Sequence, residues 1–441
     1  MWRARTFTAS SATAANLFPF VAGSGAPSAG VLMGRHLVWG EPVHVDPFAW
    51  LAAGLTTNTG MFQMGQPGTG KSAFAKRQIL GLVHIGVKPV IVGDPKGEYS
   101  ELVRRIGGQV VRIGPGHDRI NPLDGRATAP GQEAELRQRR LWLLVALCAL
   151  VRGQRPISNG EEVVLSAAVD AVTANHRQPT VRDVLAEVRT PTERVLVAAD
   201  LHDRNRYDEL TRELRWTLQL LVDGSLGSVV DGPSTQTFDV SAPGIAVDLS
   251  GVQDETVLRA AMLSSWSWSQ AAVHAARTED AGTRWLLVMD ELWRALRGGP
   301  AIVDHMDALT RLGRSQGVAS LMITHSLSDL EAIPSRSDVA KAMGFIDRSA
   351  IVVLSGLPRR ELQVVRQVVP LTDEEVALVA GWASAQRWSG QARHPGRGKY
   401  LIKTGHRPGL PVDMQLTAVE AGLYDTDPGQ DRRTARSDFG E

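Results

Sequence analysis

A single cysteine, Cys148, is the only thiol in 441 residues, so no internal disulfide can form and nothing points to an oxidising compartment. It lies inside an apolar run, which reads as a buried, inert thiol. That run, 141–151, is the most hydrophobic in the chain, yet it falls well short of the roughly 20 residues needed to span a bilayer. With Arg139, Arg140 and Arg152 at its flanks it is expected to form a buried helix. The first residues, Met-Trp-Arg-Ala-Arg-Thr, hold no apolar core followed by a cleavage site, so no secretory signal is visible. The expected location is the cytoplasm, peripheral at the inner face of the cell membrane through a partner. A charge excess is also missing. The chain carries 48 basic and 47 acidic residues, a net charge of +1. No overall field recruits nucleic acid, and a DNA groove would have to be local. His305, His325, His394 and His406 show no metal-ligand spacing. What remains, 43% hydrophobic and 22% charged residues, is the ordinary composition of a soluble globular protein. The length allows two domains, or one with an insertion.

Residues 1–57 form an N-terminal flank with Gly/Ser/Ala/Pro-rich stretches and one alternating segment, 36–46, that predicts a small β-hairpin. From residue 58 short apolar strands alternate with helices: a strand at 60–64, a helix at 72–85, then strands at 88–93 and 109–113. Between 126 and 224 strand signals vanish and helical periodicity takes over, at 133–152, 161–175, 181–188 and 208–221. The strand–helix rhythm resumes at 245–249. It continues through a long helix, 255–277, with Leu258, Ala261, Met262, Trp268 and Ala272 on one face. Further strands are expected at 285–289, 319–323, 350–354 and 400–403. The tail 425–441 is polar and reads as disordered. This pattern predicts an α/β fold with a mainly parallel sheet, split into 58–125 and 225–424 by an all-helical insertion, 126–224.

The strand at 60–64 runs into Gly65-Gln66-Pro67-Gly68-Thr69-Gly70-Lys71-Ser72, the pattern G-x-x-x-x-G-K-[ST]. Glycines let successive backbone N–H groups turn toward phosphates, and the following helix, with Ala73 in its first turn, offers its positive end to the same anion. Lys71 reaches the β- and γ-phosphates of ATP, and the Ser72 hydroxyl is a ligand for Mg2+. An ordinary glycine-rich turn is the bland alternative, and the strand before and helix after argue against it. The uninterrupted apolar strand 285–289 delivers Asp290 and Glu291 to its C-terminal end, where ligands bind in parallel sheets. Asp290 suits the Mg2+ shell, and Glu291 the base that deprotonates the attacking water.

Several further stretches carry a resemblance. Asp94-Pro95-Lys96-Gly97-Glu98-Tyr99, Ile106-Gly107-Gly108 and Asn121-Pro122-Leu123-Asp124 come first. Asp231-Gly232-Pro233-Ser234, Asp290-Glu291-Leu292-Trp293, Arg314-Ser315-Gln316-Gly317 and Ile323-Thr324-His325 follow. In this order they resemble the large ATPase of conjugative type IV secretion systems over residues 17–425. The arginine-rich, lysine-poor composition is like that of actinobacterial members. The resemblance implies a RecA-like P-loop motor, related to hexameric DNA pumps, that forms a ring of identical subunits, a hexamer. It implies conjugation-channel membrane proteins as partners and leaves DNA open as cargo. It also implies an arginine finger, for which Arg314 is the candidate, with Arg311, Arg359 and Arg360 as rivals. His325 stands where relatives carry a glutamine that senses the γ-phosphate. Asp94 and Glu98 have either a catalytic or a loop-capping role, and Arg137, Arg139 and Arg140 either touch DNA or form a charged helix face. The alternatives to a secretion ATPase are a DNA-translocating hexameric ATPase and an ATP-binding assembly platform with negligible turnover.

Overall fold

This computed structural model describes residues 24–125, 131–200, 203–296, 317–327, 336–383, 394 and 396–424. Its frame is one eleven-stranded sheet, ordered β2-β1-β11-β10-β9-β3-β8-β7-β4-β6-β5. The strands are β1 (Val31–His36), β2 (Pro42–Val45), β3 (Gly60–Met64), β4 (Val87–Asp94), β5 (Gln109–Arg112) and β6 (Ile245–Asp248). The rest are β7 (Arg284–Met289), β8 (Val318–Thr324), β9 (Ile351–Leu354), β10 (Lys399–Lys403) and β11 (Leu410–Asp413). The run from β9 to β5 is parallel throughout. β10, β11, β1 and β2 extend it antiparallel.

Both faces of the parallel part are covered, which is why its strands read as apolar runs. Phe62, Met64, Leu287, Met289 and Met322 face one core, and Met61, Leu286, Val288, Leu321 and Ile323 the other. The helix Lys71–His84 lies on the second face with Phe74, Ala75 and Ile79 buried. The helices Glu133–Val151, Asn159–Asn175, Val181–Arg189, Glu193–Ala198 and Arg204–Asp223 fill the stretch where helical periodicity dominates. Ser158 with Glu161, and Thr180 with Asp183, close reciprocal capping boxes that start two of them. Their apolar side chains, among them Leu147, Cys148, Leu165, Leu214 and Leu218, are continuous with the first core. Cys148 is fully buried, inside a helix as expected.

Two local expectations need correction. The hairpin lies earlier than the alternation indicated. Residues 37–41 form the turn between β1 and β2, with Gly40 at φ +69°, so the alternating segment spans a turn and one strand. The hairpin also joins the main sheet, through Arg35↔Asp413 and His36↔Val412. The helix Glu255–Glu279 is not one-faced: every residue from Ala260 to Ser269 is buried. It is sandwiched between the sheet and the helices that precede it, and serines and alanines keep it thin enough to fit. Residues 425–441 lie outside the described residues.

Candidate active site

Strand register assembles the site. β3 pairs with β8 so that Met64 lies opposite Thr324, and β8 pairs with β7 so that Met289 lies opposite Met322. The residues that follow therefore leave the same C-terminal edge side by side: the loop from Gly65, the pair Asp290–Glu291, and His325. β4 ends beside them at Asp94.

The loop 65–72 is held from below. The Gln66 N–H donates to the Gly356 carbonyl (3.0 Å), and the Thr69 hydroxyl donates to the Gln66 carbonyl (2.7 Å) and to Ser355 Oγ (3.1 Å). The Tyr400 hydroxyl donates to the Gly70 carbonyl at 2.6 Å. Gly68 and Gly70 sit at φ +80° and +95°, where a side chain is strained. Gly65 is needed for close approach, because a Cβ there would lie 1.8 Å from Ser355 Oγ. Pro67 and Gly68 are the exposed crest. Gly70 caps the helix Lys71–His84 without a side-chain acceptor, so the first-turn N–H groups of Lys71, Ser72 and Ala73 face the loop's concavity. Lys71 folds back, its Nζ donating to the carbonyls of Gly65 (2.6 Å) and Gln66 (3.1 Å). Burial lowers its ammonium to about 8.

The acids are layered. Asp290 accepts from the Tyr99 hydroxyl (2.9 Å) and from the Glu291 N–H (2.8 Å). Burial, then the charges of Glu291 and Glu98, pushes its carboxyl upward. Glu291, only 3% exposed, sits at φ +53°, a left-handed conformation uncommon for a residue with a Cβ. Its Oε1 meets Lys96 Nζ at 2.5 Å and His325 Nε2 at 2.9 Å, while Oε2 accepts from Trp293 Nε1 at 2.6 Å. Burial opposes its charge, but the His325 and Lys96 donors outweigh burial and hold its carboxyl well below the usual range. Asp94 accepts the N–H groups of Lys96 (3.2 Å) and Tyr99 (2.8 Å), the geometry of a loop cap. Burial pushes it up to about 7.

The structure thus brings Lys71, Ser72, Asp290, Glu291 and His325 to one edge. Arg314 and Arg311 lie outside the described residues; Arg359 and Arg360 are exposed at the start of the helix Arg359–Val365. Arg137, Arg139 and Arg140 are engaged by their own chain, through Asp170, the Asp124 carbonyl and the Leu123 carbonyl. Sequence reasoning missed Ser355 and Tyr400 as walls of the loop and Lys96 as the partner of Glu291. The strand pattern alone could have flagged Ser355, which ends an apolar strand as His325 does.

The donor set fits a hard divalent cation. The carboxylates of Asp94, Glu98, Asp290 and Glu291 outnumber the ammoniums of Lys71 and Lys96. Among the described residues no cluster of three or more His, Cys, Asp or Glu side chains could hold an ion unaided. Mg2+ is usually bound by one or two protein oxygens plus substrate phosphates and water.

Neither a family model nor a curated protein matches the sequence. Solved structures do. VirB4 of Thermoanaerobacter pseudethanolicus aligns at a TM-score of 0.70 with 20% identity, over 90% of this chain and all of that one. Plasmid coupling protein TrwB in complex with the ATP analogue ADPNP aligns at 0.56 with 15% identity, over 89% of this chain and 91% of that one. TrwB in complex with ADP and Mg2+ aligns at 0.53, over 81% and 85%. Among the described residues no helix is long and apolar enough to cross a membrane. The chain therefore has the α/β fold of VirB4 and of the conjugative coupling protein TrwB.

Proposed function

We propose that this chain binds Mg·ATP on the loop 65–72 and hydrolyses it to power substrate transfer or assembly in a conjugative type IV secretion system. One observation carries the reading: a glycine loop wrapped over a helix N-terminus, its lysine, and an Asp–Glu pair share one sheet edge. The likeness to VirB4, and to TrwB in complexes with ADP and Mg2+ or an ATP analogue, supports the nucleotide and the setting.

In this reading the backbone N–H groups from Gly65 to Ala73 receive the phosphates. Lys71 exchanges the carbonyls of Gly65 and Gln66 for the β- and γ-phosphate oxygens. Ser72 and Asp290 hold Mg2+, which when bound neutralises phosphate charge. Glu291 takes the proton of the water that attacks the γ-phosphate in line, and His325 orients that carboxylate or the phosphate. In the same reading a neighbouring copy in a ring, a hexamer, covers the edge and supplies Arg314. Residues 58–125 and 225–424 form the motor, 126–224 its insertion, and channel proteins hold it at the inner face of the membrane.

Phosphate release by the purified protein is the test. Glu291→Gln is expected to keep nucleotide binding and lose about 10²–10⁴ in rate; a loss below tenfold places the base elsewhere. Lys71→Ala is expected to lose tight nucleotide binding, and unchanged affinity in the folded variant removes the phosphate-site assignment. Acceleration by added DNA would favour a DNA-translocating motor.

A further inference from the structure

Glu291 cannot serve as a base in the state the structure shows. Its Oε1 is shared between the Lys96 ammonium and the His325 ring, and its Oε2 is taken by the Trp293 indole. A carboxylate bound by a cation and two N–H donors, 3% exposed, has little affinity left for a water's proton. The backbone at this residue is left-handed, so the pose is maintained by its partners rather than by preference.

Among those partners Lys96 is the one free to leave. Its side chain is 44% exposed on the turn after β4, against 24% for His325, and it therefore gives up little burial in moving. It also lies within the electrostatic field of Lys71, which it repels. Two ammoniums that repel each other beside an anion-binding loop are reconciled by phosphate oxygens lying between them.

We propose that Lys96 is a γ-phosphate-operated latch: without nucleotide it sequesters Glu291, and the γ-phosphate of bound ATP draws it off. ADP, one phosphate shorter, leaves the latch closed. His325 and Trp293 keep the released carboxylate oriented. Lys96 is thus a positioning residue that couples the base to the presence of ATP. This rests on the reading of the loop as an ATP site.

Isothermal titration with Mg·ADP and with a non-hydrolysable Mg·ATP analogue tests it without any turnover. Four full-length proteins are compared: wild type, Lys96→Met, Glu291→Gln and the double variant. Lys96→Met is expected to weaken the analogue several-fold, by the excess of the γ-phosphate contact over the Glu291 contact that Lys96 gives up, while ADP changes less than about twofold. Glu291→Gln is expected to tighten the analogue, and to do so several-fold more with Lys96 present than in Lys96→Met. The sign of that difference is decisive. If Lys96 stays on Glu291 when ATP binds, it shields the phosphate from the carboxylate, and the gain is smaller with Lys96 present. A smaller or equal gain overturns the latch and leaves the ATP site intact. Binding of neither nucleotide by the folded wild type overturns the ATP reading itself, and the latch with it.

Discussion

Adding one methyl group to the loop 65–72 tests the frame that shapes it. A Cβ at Gly65 would lie 1.8 Å from Ser355 Oγ and 2.9 Å from Ser355 Cβ. Rotating the Ser355 hydroxyl away relieves the first contact. It also gives up the bond to the Met64 carbonyl (3.0 Å) and the one received from Thr69 (3.1 Å), each worth about 0.5–1.5 kcal/mol. The second contact persists for every rotamer, because Cβ does not move with χ1. Ordinary contact begins at 3.4 Å, so loop and strand β9 must part by about 0.5 Å, an overpacking strain of about 1–3 kcal/mol. The loop can escape this strain by lifting, since its crest at Pro67 and Gly68 is exposed. The cost then falls on nucleotide affinity rather than on the fold. Together the terms come to roughly 2–6 kcal/mol, a loss of at least about 30-fold and at most about 20,000-fold in affinity for Mg·ADP by titration calorimetry. Ser355→Gly removes both offending atoms and is expected to restore most of the binding to Gly65→Ala. Wild-type affinity in Gly65→Ala with Ser355 intact would refute the reasoning.

Arg152→Met is expected to loosen the helices between 133 and 223. Arg152 makes a bidentate pair with Glu161 (2.6 and 3.1 Å) and bonds Thr217, tying three helices at one buried point. Breaking such a pair typically costs about 3–5 kcal/mol, read as faster amide exchange in those helices. Hydrogen bonds from Arg152 and Ser158 outweigh burial and hold the Glu161 carboxyl below its usual value, so the stabilisation is present above that value and fades as pH falls through the lowered one. Arg152→Met should therefore flatten the acid limb of the stability profile, and an unchanged limb counts against the pair. Cys148, fully buried with its thiol pushed up to about 12, should resist a thiol reagent at pH 8 in the folded protein and react once in urea. Labelling of the folded protein at the unfolded rate would contradict that burial. Arg314→Ala should keep ATP affinity and lose turnover, and mixing it with Glu291→Gln should restore part of the activity. A normal rate moves the finger to Arg311, Arg359 or Arg360.

Most of the sheet was legible because its parallel strands are apolar on both faces and stand out from their loops. The loop 65–72 was legible because glycines and a lysine at fixed spacing have few other uses. What stayed hidden was set by register between distant strands. Tyr400 meets the loop across 330 residues with no local pattern to announce it, and Ser355, across 286, is marked only by its place after an apolar strand. Asp94 could be read two ways from sequence, and its two backbone donors now show a cap. The helix Glu255–Glu279 looked amphipathic because its small polar residues, Ser264, Ser265, Ser267 and Ser269, count as polar in a periodicity but pack as small. The hairpin was misplaced by a turn because Gly40 sits inside an alternating stretch that mimics a strand.

The hydroxyl that closes the loop onto Gly70 belongs to a residue 330 positions further along the chain. At the ribosome that separation becomes time. At typical synthesis rates of 5–20 residues per second, Tyr400 emerges about 16 to 66 seconds after the glycines it holds. Through that interval the nascent chain carries residues 65–72 without their frame, and Ser355 arrives only shortly before. Until then the Gly70 carbonyl lacks the hydroxyl that holds it, and the loop stays unanchored on that side.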